Sequence, residues 1–92
     1  MRPLMHAMPG ALADLLRDAP LSVGKVNFAW RAAVGPGIER VTSVRLEDRV
    51  LIVEVADQGW AREISRSSPT ILQRLRTLLG DDTVERLLVR KP

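Results

Sequence analysis

The chain has 92 residues, 14 Lys and Arg against 11 Asp and Glu, a formal net charge of +3, one His and no Cys. This length accommodates one domain with one thin core. The absence of Cys excludes disulfides, a thiolate nucleophile and a Cys-type zinc site, and the lone His6 cannot form a metal site by itself. The longest apolar run, VLIVEVA, is far shorter than the roughly 18 residues of a spanning helix. We therefore expect a cytoplasmic protein with no cofactor and no membrane passage.

The first twenty residues predict a flexible terminus followed by a short helix. We assign residues 1–9 to the terminus and residues 10–92 to a single domain. An apolar stripe at helical spacing, which stops at Pro20, predicts the first helix; its members are Leu12, Leu15, Leu16 and Ala19. This stripe can pack on Phe28 or pair between two chains, which leaves the oligomeric state open.

A second helix is predicted after Ser22, which is a natural N-terminal cap. The GPG sequence at 35–37 ends it, and an irregular stretch follows. Its apolar arc consists of Val23, Val26, Ala29, Trp30, Ala33 and Val34. We expect Trp30 to anchor the core from this arc, whereas Phe28, on nearly the opposite side, faces the first helix or solvent.

From Thr42 onward the apolar period changes to two, which predicts a β-hairpin joined by the short link EDR. Arg49 occupies a position where a tight turn often has Gly, so the turn type stays open. Near the end of the chain, TVERLLVRK predicts a last strand. The strand residues expected to face the helices are Val44, Leu46, Leu51, Val53, Val55, Leu87 and Val89.

Two helices are predicted between the hairpin and the last strand. Asp57 caps the third helix, in which Trp60 and Ile64 share one side and Arg62 and Arg66 project from the other. The fourth begins with a cap-then-proline signal and stops at a glycine, at Ser68, Pro69 and Gly80. Its core face comprises Ile71, Leu72, Leu75, Leu78 and Leu79.

The order helix, helix, strand, strand, helix, helix, strand predicts an α+β fold. Because the strands alternate and the helices are amphipathic, a three-stranded sheet with helices on one face is the economical arrangement. The residues expected to form the structural core are Trp30, Trp60, Leu51, Val53 and Leu75.

No residue pattern predicts catalysis. The paired carboxylates at 47–48 and 81–82 lie in predicted turns, where acidic residues are common. The serines at 65, 67 and 68 have no nearby base. We therefore do not expect an enzyme.

Two surfaces are candidate interfaces. On the sheet face away from the helices, the residues predicted to bind a protein partner are Arg45, Ile52, Arg86, Leu88 and Arg90. Near the junction of the third and fourth helices, the residues predicted to contact nucleic-acid phosphates are Arg62, Arg66, Arg74 and Arg76. A solvent-facing sheet and a solvated helix face are the alternatives to these two interpretations.

Most of the chain, from about Leu12 to Arg90, resembles the DciA family of bacterial proteins associated with the replicative helicase DnaB. The resemblance rests on Trp30 with Val34 and Gly35, on VLIVEV, on Trp60 with Ala61 and Ile64, on ILQRL and on the closing strand. It implies a KH-like domain of type II order, with one additional N-terminal helix.

The resemblance also implies a function. It indicates help in loading or operating DnaB, with affinity for DNA, especially single-stranded or forked DNA. Where a KH module has a GXXG loop between paired helices, this chain reads RSSP. A protein-interaction module without nucleic-acid affinity and an RNA-binding KH-like adaptor remain as alternatives.

Overall fold

The structure is a computed structural model that describes Leu15 and residues 18–92. Leu15 and Asp18 are helical, and the amide of Ala19 donates to the Leu15 carbonyl at 3.1 Å. This agrees with a helix before Pro20. The predicted terminus 1–9 and part of the predicted stripe lie outside the described residues; these stripe members are Leu12 and Leu16.

The described part of the chain forms a mixed three-stranded sheet with helices packed on it. In chain order the elements after Pro20 are α1 (Val23–Val34), α2 (Pro36–Arg40), β1 (Ser43–Glu47), β2 (Val50–Glu54), α3 (Gln58–Arg66), α4 (Ser68–Leu79) and β3 (Arg86–Arg90). This confirms the predicted α+β class and is compatible with a KH-like domain. Within the described residues, no helix is both long enough and apolar enough to cross a membrane.

Helix α1 begins and ends where local signals place it. The Ser22 hydroxyl accepts from the Lys25 amide at 3.1 Å, which satisfies one free donor of the first turn. Gly35 ends the helix with φ of +87°. The assignment of Val23 to the core arc is wrong, because its side chain is 78% exposed. A helical wheel gives direction around the axis but does not specify how far the sheet extends beneath the first turn.

The stretch after the GPG sequence is helical, which corrects the expectation of an irregular segment. Pro36 stands in the first turn of α2, where its missing amide hydrogen and restricted φ favour helix entry. The helix is short and contains no buried residue. It brings Thr42 back toward α1, where the Thr42 hydroxyl accepts from the Trp30 indole at 2.8 Å.

The β1–β2 hairpin turns through two residues that both have positive φ. These values are +48° for Asp48 and +67° for Arg49, as in a type I′ turn. The guanidinium of Arg49 donates to the Asp82 carbonyl at 2.9 Å, and its own carbonyl accepts from the Glu85 amide at 2.6 Å. These bonds hold the turn against the loop before β3, which compensates for a conformation that glycine adopts more easily.

Strand β3 pairs parallel to β2, so β2 is the central strand and the order is β1-β2-β3. Its ladder begins at Arg86, opposite Val50, rather than at the predicted Thr83. Because β2 itself begins at Val50, the residues before Arg86 have no strand residue opposite them. Val84 lies in this preceding loop and is fully buried.

Helices α3 and α4 form the connection between β2 and β3. Asp57 accepts from the Trp60 amide at 2.8 Å, as expected for the α3 cap. The α4 cap is displaced by one residue from the prediction: Ser67 is the cap position, without a side-chain bond, and Ser68 is already helical. Gly80 ends α4 with φ of +98°.

The core lies between the helices and one sheet face. Trp30, Leu51, Val53 and Leu75 are buried in it. Register places two apolar rows on this face, Val44–Val53–Val89 and Leu46–Leu51–Leu87. The prediction that Trp60 belongs to the core is wrong, because its side chain is 39% exposed. Ile64, one turn later, is fully buried, so the packed part of α3 begins after Trp60.

Candidate functional site

Helix α3 presents two arginines on the side away from the sheet. Because Ile64 is the buried residue of this helix, Arg62 and Arg66 lie far around the axis from the core and are both exposed. Arg66 lies 3.5 Å from the Glu63 carboxylate, an exposed pair one turn apart. Such a surface pair contributes little energy, so it leaves Arg66 available for a stronger anionic partner.

The two arginines of α4 have different surroundings. Arg74 donates to the Ala33 carbonyl in the last turn of α1 at 2.9 Å, where a cation also complements the helix dipole. Arg76 lies closer to the end of α4 and lines an open pocket of about 460 Å³ with Gly80 and Asp81. Both arginines are exposed, and Arg74 also links α4 to α1 through its bond to the Ala33 carbonyl.

Trp60 is a candidate contact residue that the sequence interpretation assigned to the core. Its ring is partly exposed in the first turn of the helix that carries Arg62 and Arg66. One signal could have identified it: α3 has only one other bulky apolar residue, Ile64, so the helix is too polar to bury a whole side. An exposed indole offers a flat surface on which a nucleic-acid base can stack.

The sheet face away from the helices is a three-by-three array in register. Its rows are Ser43–Glu54–Arg90, Arg45–Ile52–Leu88 and Glu47–Val50–Arg86. The predicted partner-binding residues therefore share one face. Four of them are exposed: Arg45, Arg86, Leu88 and Arg90.

The prediction that Ile52 is available to a partner is wrong, because its side chain is only 6% exposed. Ile52 is in the central strand, with Arg45 and Leu88 as its register neighbours on the same face. Long side chains on both edge strands limit the access of solvent to the middle of the array. The apolar surface left on this face comes mainly from Leu88, which is 37% exposed.

An ion-pair network occupies much of this sheet face. The Glu54 carboxylate lies 3.6 Å from Arg45 and 3.3 Å from Arg90, and Arg45 also lies 2.7 Å from Glu47. The hydrogen bond to Glu47, with the attraction of both carboxylates, raises the pKa of Arg45 above its ordinary value. Two of the predicted arginines are therefore already balanced by acidic neighbours.

A comparison with protein families shows the family to which the chain belongs. The family described as Dna[CI] antecedent, DciA, matches residues 3–89, which is nearly the whole chain. The chain belongs to the DciA family. A comparison with curated proteins finds no match.

Membership in the DciA family confirms the resemblance that Trp30, Trp60 and the strand motifs indicate. DciA proteins are loaders or accessory factors of the replicative helicase DnaB and not a catalytic family. Family membership supports a loader-type role in general for this chain. Within the residues that the structure describes, no group of three or more His, Asp or Glu side chains is placed to hold a metal ion.

Proposed function

We propose that this DciA-family chain is a non-enzymatic, DNA-binding accessory protein that assists the loading or operation of DnaB, with single-stranded or forked DNA as its nucleic-acid partner. The observation that carries the proposal is the exposure of Arg62 and Arg66 on the outer side of α3. Arg66 also makes a weak, exposed ion pair with Glu63. Guanidinium groups suit phosphate because their planar donor fork matches two phosphate oxygens. In this proposal Arg76, near the C-terminal end of α4, adds a further phosphate contact, and Arg74 contributes with the donors that the Ala33 carbonyl does not occupy.

Side chains carry the phosphate contacts in this proposal, because the link between α3 and α4 offers few backbone donors. The Ser67 amide already donates to the Glu63 carbonyl at 3.0 Å, and Pro69 has no amide hydrogen. In a GXXG loop, in contrast, the protein backbone itself comes close to the nucleic-acid backbone and clamps it. We therefore expect weak, strongly salt-dependent DNA binding without base specificity.

The test is fluorescence anisotropy of labelled single-stranded, forked and duplex DNA at low and moderate salt. The variant Arg62→Ala/Arg66→Ala removes two charges from α3, and Arg40→Ala/Lys91→Ala removes two exposed charges elsewhere as a matched control. We expect the negative slope of log K against log salt to become less steep in the α3 variant. The change should be about 0.7 for each phosphate of a single strand that the protein no longer neutralises. Absence of binding at low salt, or equal effects of both variants, contradicts the proposal.

A second candidate function is a protein-interaction module without nucleic-acid affinity. It is favoured by the open sheet face, where Leu88 is exposed and the arginines at 45 and 90 are balanced by Glu54. Replacing Arg86, Leu88 and Arg90 by Ser then abolishes co-purification with DnaB while DNA binding is absent in the parent protein. The RNA-binding alternative is separated by comparing RNA and DNA of one sequence in the same anisotropy assay.

A further inference from the structure

Strand β1 has an unpaired outer edge within the described residues. In a two-residue hairpin, the two residues that flank the turn, here Glu47 and Val50, are hydrogen-bonded to each other through their backbones. Hydrogen-bonded and non-hydrogen-bonded pairs then alternate along the ladder, so Leu46 and Val44 belong to non-hydrogen-bonded pairs. The amides and carbonyls of Val44 and Leu46 therefore point away from β2. In the described part of the chain, no other hydrogen bond reaches these groups.

An apolar groove lies directly beside this edge. It has a volume of about 560 Å³, and its apolar walls come from the start of α1 and from β1. The side chains of Val44 and Leu46 belong to it, so the residues with outward backbone groups also form the groove. Opposite them, Leu21 and Val23 are 57% and 78% exposed. The outward backbone donors and acceptors of β1 therefore lie side by side with an apolar cavity.

We propose that the β1 edge and this groove bind an extended segment of a partner protein by strand addition. The outward amides and carbonyls of Val44 and Leu46 pair with the backbone of the segment. Alternate side chains of an added strand point to the helix side of the sheet, so aliphatic residues at every second position enter the groove. This surface is separate from the arginines of α3.

The charges of the groove lining give a nucleic acid no advantage over a polypeptide. Asp48 and Asp82 line the groove together with Arg45 and Arg49, so the lining has no excess of positive charge to attract phosphate. Arg45 is engaged by Glu47 and Glu54 on the other sheet face, and Arg49 donates to the Asp82 carbonyl. Backbone pairing and apolar burial are then the dominant attractions, and both are properties of an extended polypeptide.

The probe is a synthetic peptide of alternating threonine and valine with flanking lysines, beside a matched peptide in which proline replaces the middle valine. Binding to the isotope-labelled protein is followed by NMR. We expect saturable shifts centred on the amides of Val44 and Leu46, and at least about tenfold slower hydrogen exchange of these two amides, because they become hydrogen-bonded. The proline peptide binds at least about tenfold more weakly, because proline lacks a donor.

Two variants test the binding surface: Leu46→Pro changes the edge together with a groove-lining side chain, and Val23→Asp changes the groove alone. Leu46→Pro removes an outward donor and leaves the ladder to β2 intact, and Val23→Asp places a charge on the exposed groove wall. Val41→Asp, at an exposed valine outside the groove, is the matched control. We expect the first two to weaken peptide binding at least about fivefold and the control to leave it unchanged.

Several results overturn the proposal. These are shifts located elsewhere, equal affinity for the two peptides, or equal loss in Val23→Asp and Val41→Asp. A dimer held by β1, detected by light scattering and lost in Leu46→Pro, assigns the edge to a second copy instead. We expect DNA added in place of the peptide to leave the Val44 and Leu46 amides unshifted. Peptide binding at the β1 edge therefore tests this proposal whether or not the chain binds DNA.

Discussion

The indole N–H of Trp30 donates to the hydroxyl of Thr42 at 2.8 Å, and this hydroxyl donates in turn to the Ile38 carbonyl at 2.9 Å. The two bonds join the buried ring of α1 to the residues that follow it in α2. Trp30 is therefore held by packing around its ring and by a specific partner for its only polar atom. Within the described residues, every buried side-chain nitrogen and oxygen has such a partner.

Removing either half of this arrangement should destabilise the protein. We expect Thr42→Val to cost about 1–3 kcal/mol, because the indole N–H loses its acceptor in a buried position. Trp30→Ala should cost about 3–5 kcal/mol, because it also leaves a cavity. Urea denaturation followed by circular dichroism measures both. Thr70→Val, at an exposed position in α4, is the control, and an equal loss in Thr42→Val and Thr70→Val contradicts the role of the bond.

The two tryptophans should report their different burial by fluorescence. Trp60→Phe leaves only the buried Trp30, so we expect blue-shifted emission with little quenching by acrylamide. Trp30→Phe leaves only the partly exposed Trp60, so its emission should be red-shifted and more readily quenched. Identical quenching in the two folded variants would show that Trp60 is not the exposed ring.

The β-hairpin turn allows backbone strain to be separated from hydrogen bonding. Arg49→Ala and Arg49→Gly both remove the bond to the Asp82 carbonyl, but only glycine relieves the positive φ of this position. We therefore expect the glycine variant to be about 1 kcal/mol more stable than the alanine variant. Thermal and urea unfolding of the pair measure this difference. Equal stability is the result that argues against strain at Arg49.

The arginines of α4 should differ in their effect on stability. Arg74→Ala removes the bond to the Ala33 carbonyl, so we expect a loss of about 1 kcal/mol. Arg76→Ala removes the same charge from the surface, and its effect should stay within about 0.5 kcal/mol. Urea unfolding compares the two variants directly. If Arg74→Ala is as stable as Arg76→Ala, its bond to α1 contributes nothing measurable.

Much of the fold was predictable because its signals are local. Ser22 and Asp57 cap helices that begin at the next residue, and Gly35 and Gly80 end helices through their own backbone conformation. The change of apolar period at Thr42 likewise indicates the hairpin without reference to distant residues. The short helix α2 was missed because a five-residue helix with no buried residue has no apolar period to recognise.

The candidate site was less predictable, because side-chain environment depends on distant residues. Trp60 and Ile64 share a helical side, yet only Ile64 is buried. Ile52 lies on the open sheet face, yet its position in the central strand buries it. The bond from Arg74 to Ala33 joins residues that are 41 positions apart. Spacing along one element does not reveal any of these relationships.

The sequence by itself determined the order of the strands and the longer helices, the C-terminal ends of α1 and α4, the hairpin and the family of the chain, because these depend on neighbouring residues or on the pattern of the whole chain. Only the tertiary structure decided that β3 pairs parallel to β2, that Trp60 is exposed and that Ile52 is covered. It also decided that the outer edge of β1, which is unpaired within the described residues, lies beside an apolar groove. The physical reason is that pairing and burial arise between elements, where the free energy depends on surfaces that meet only after the chain has folded.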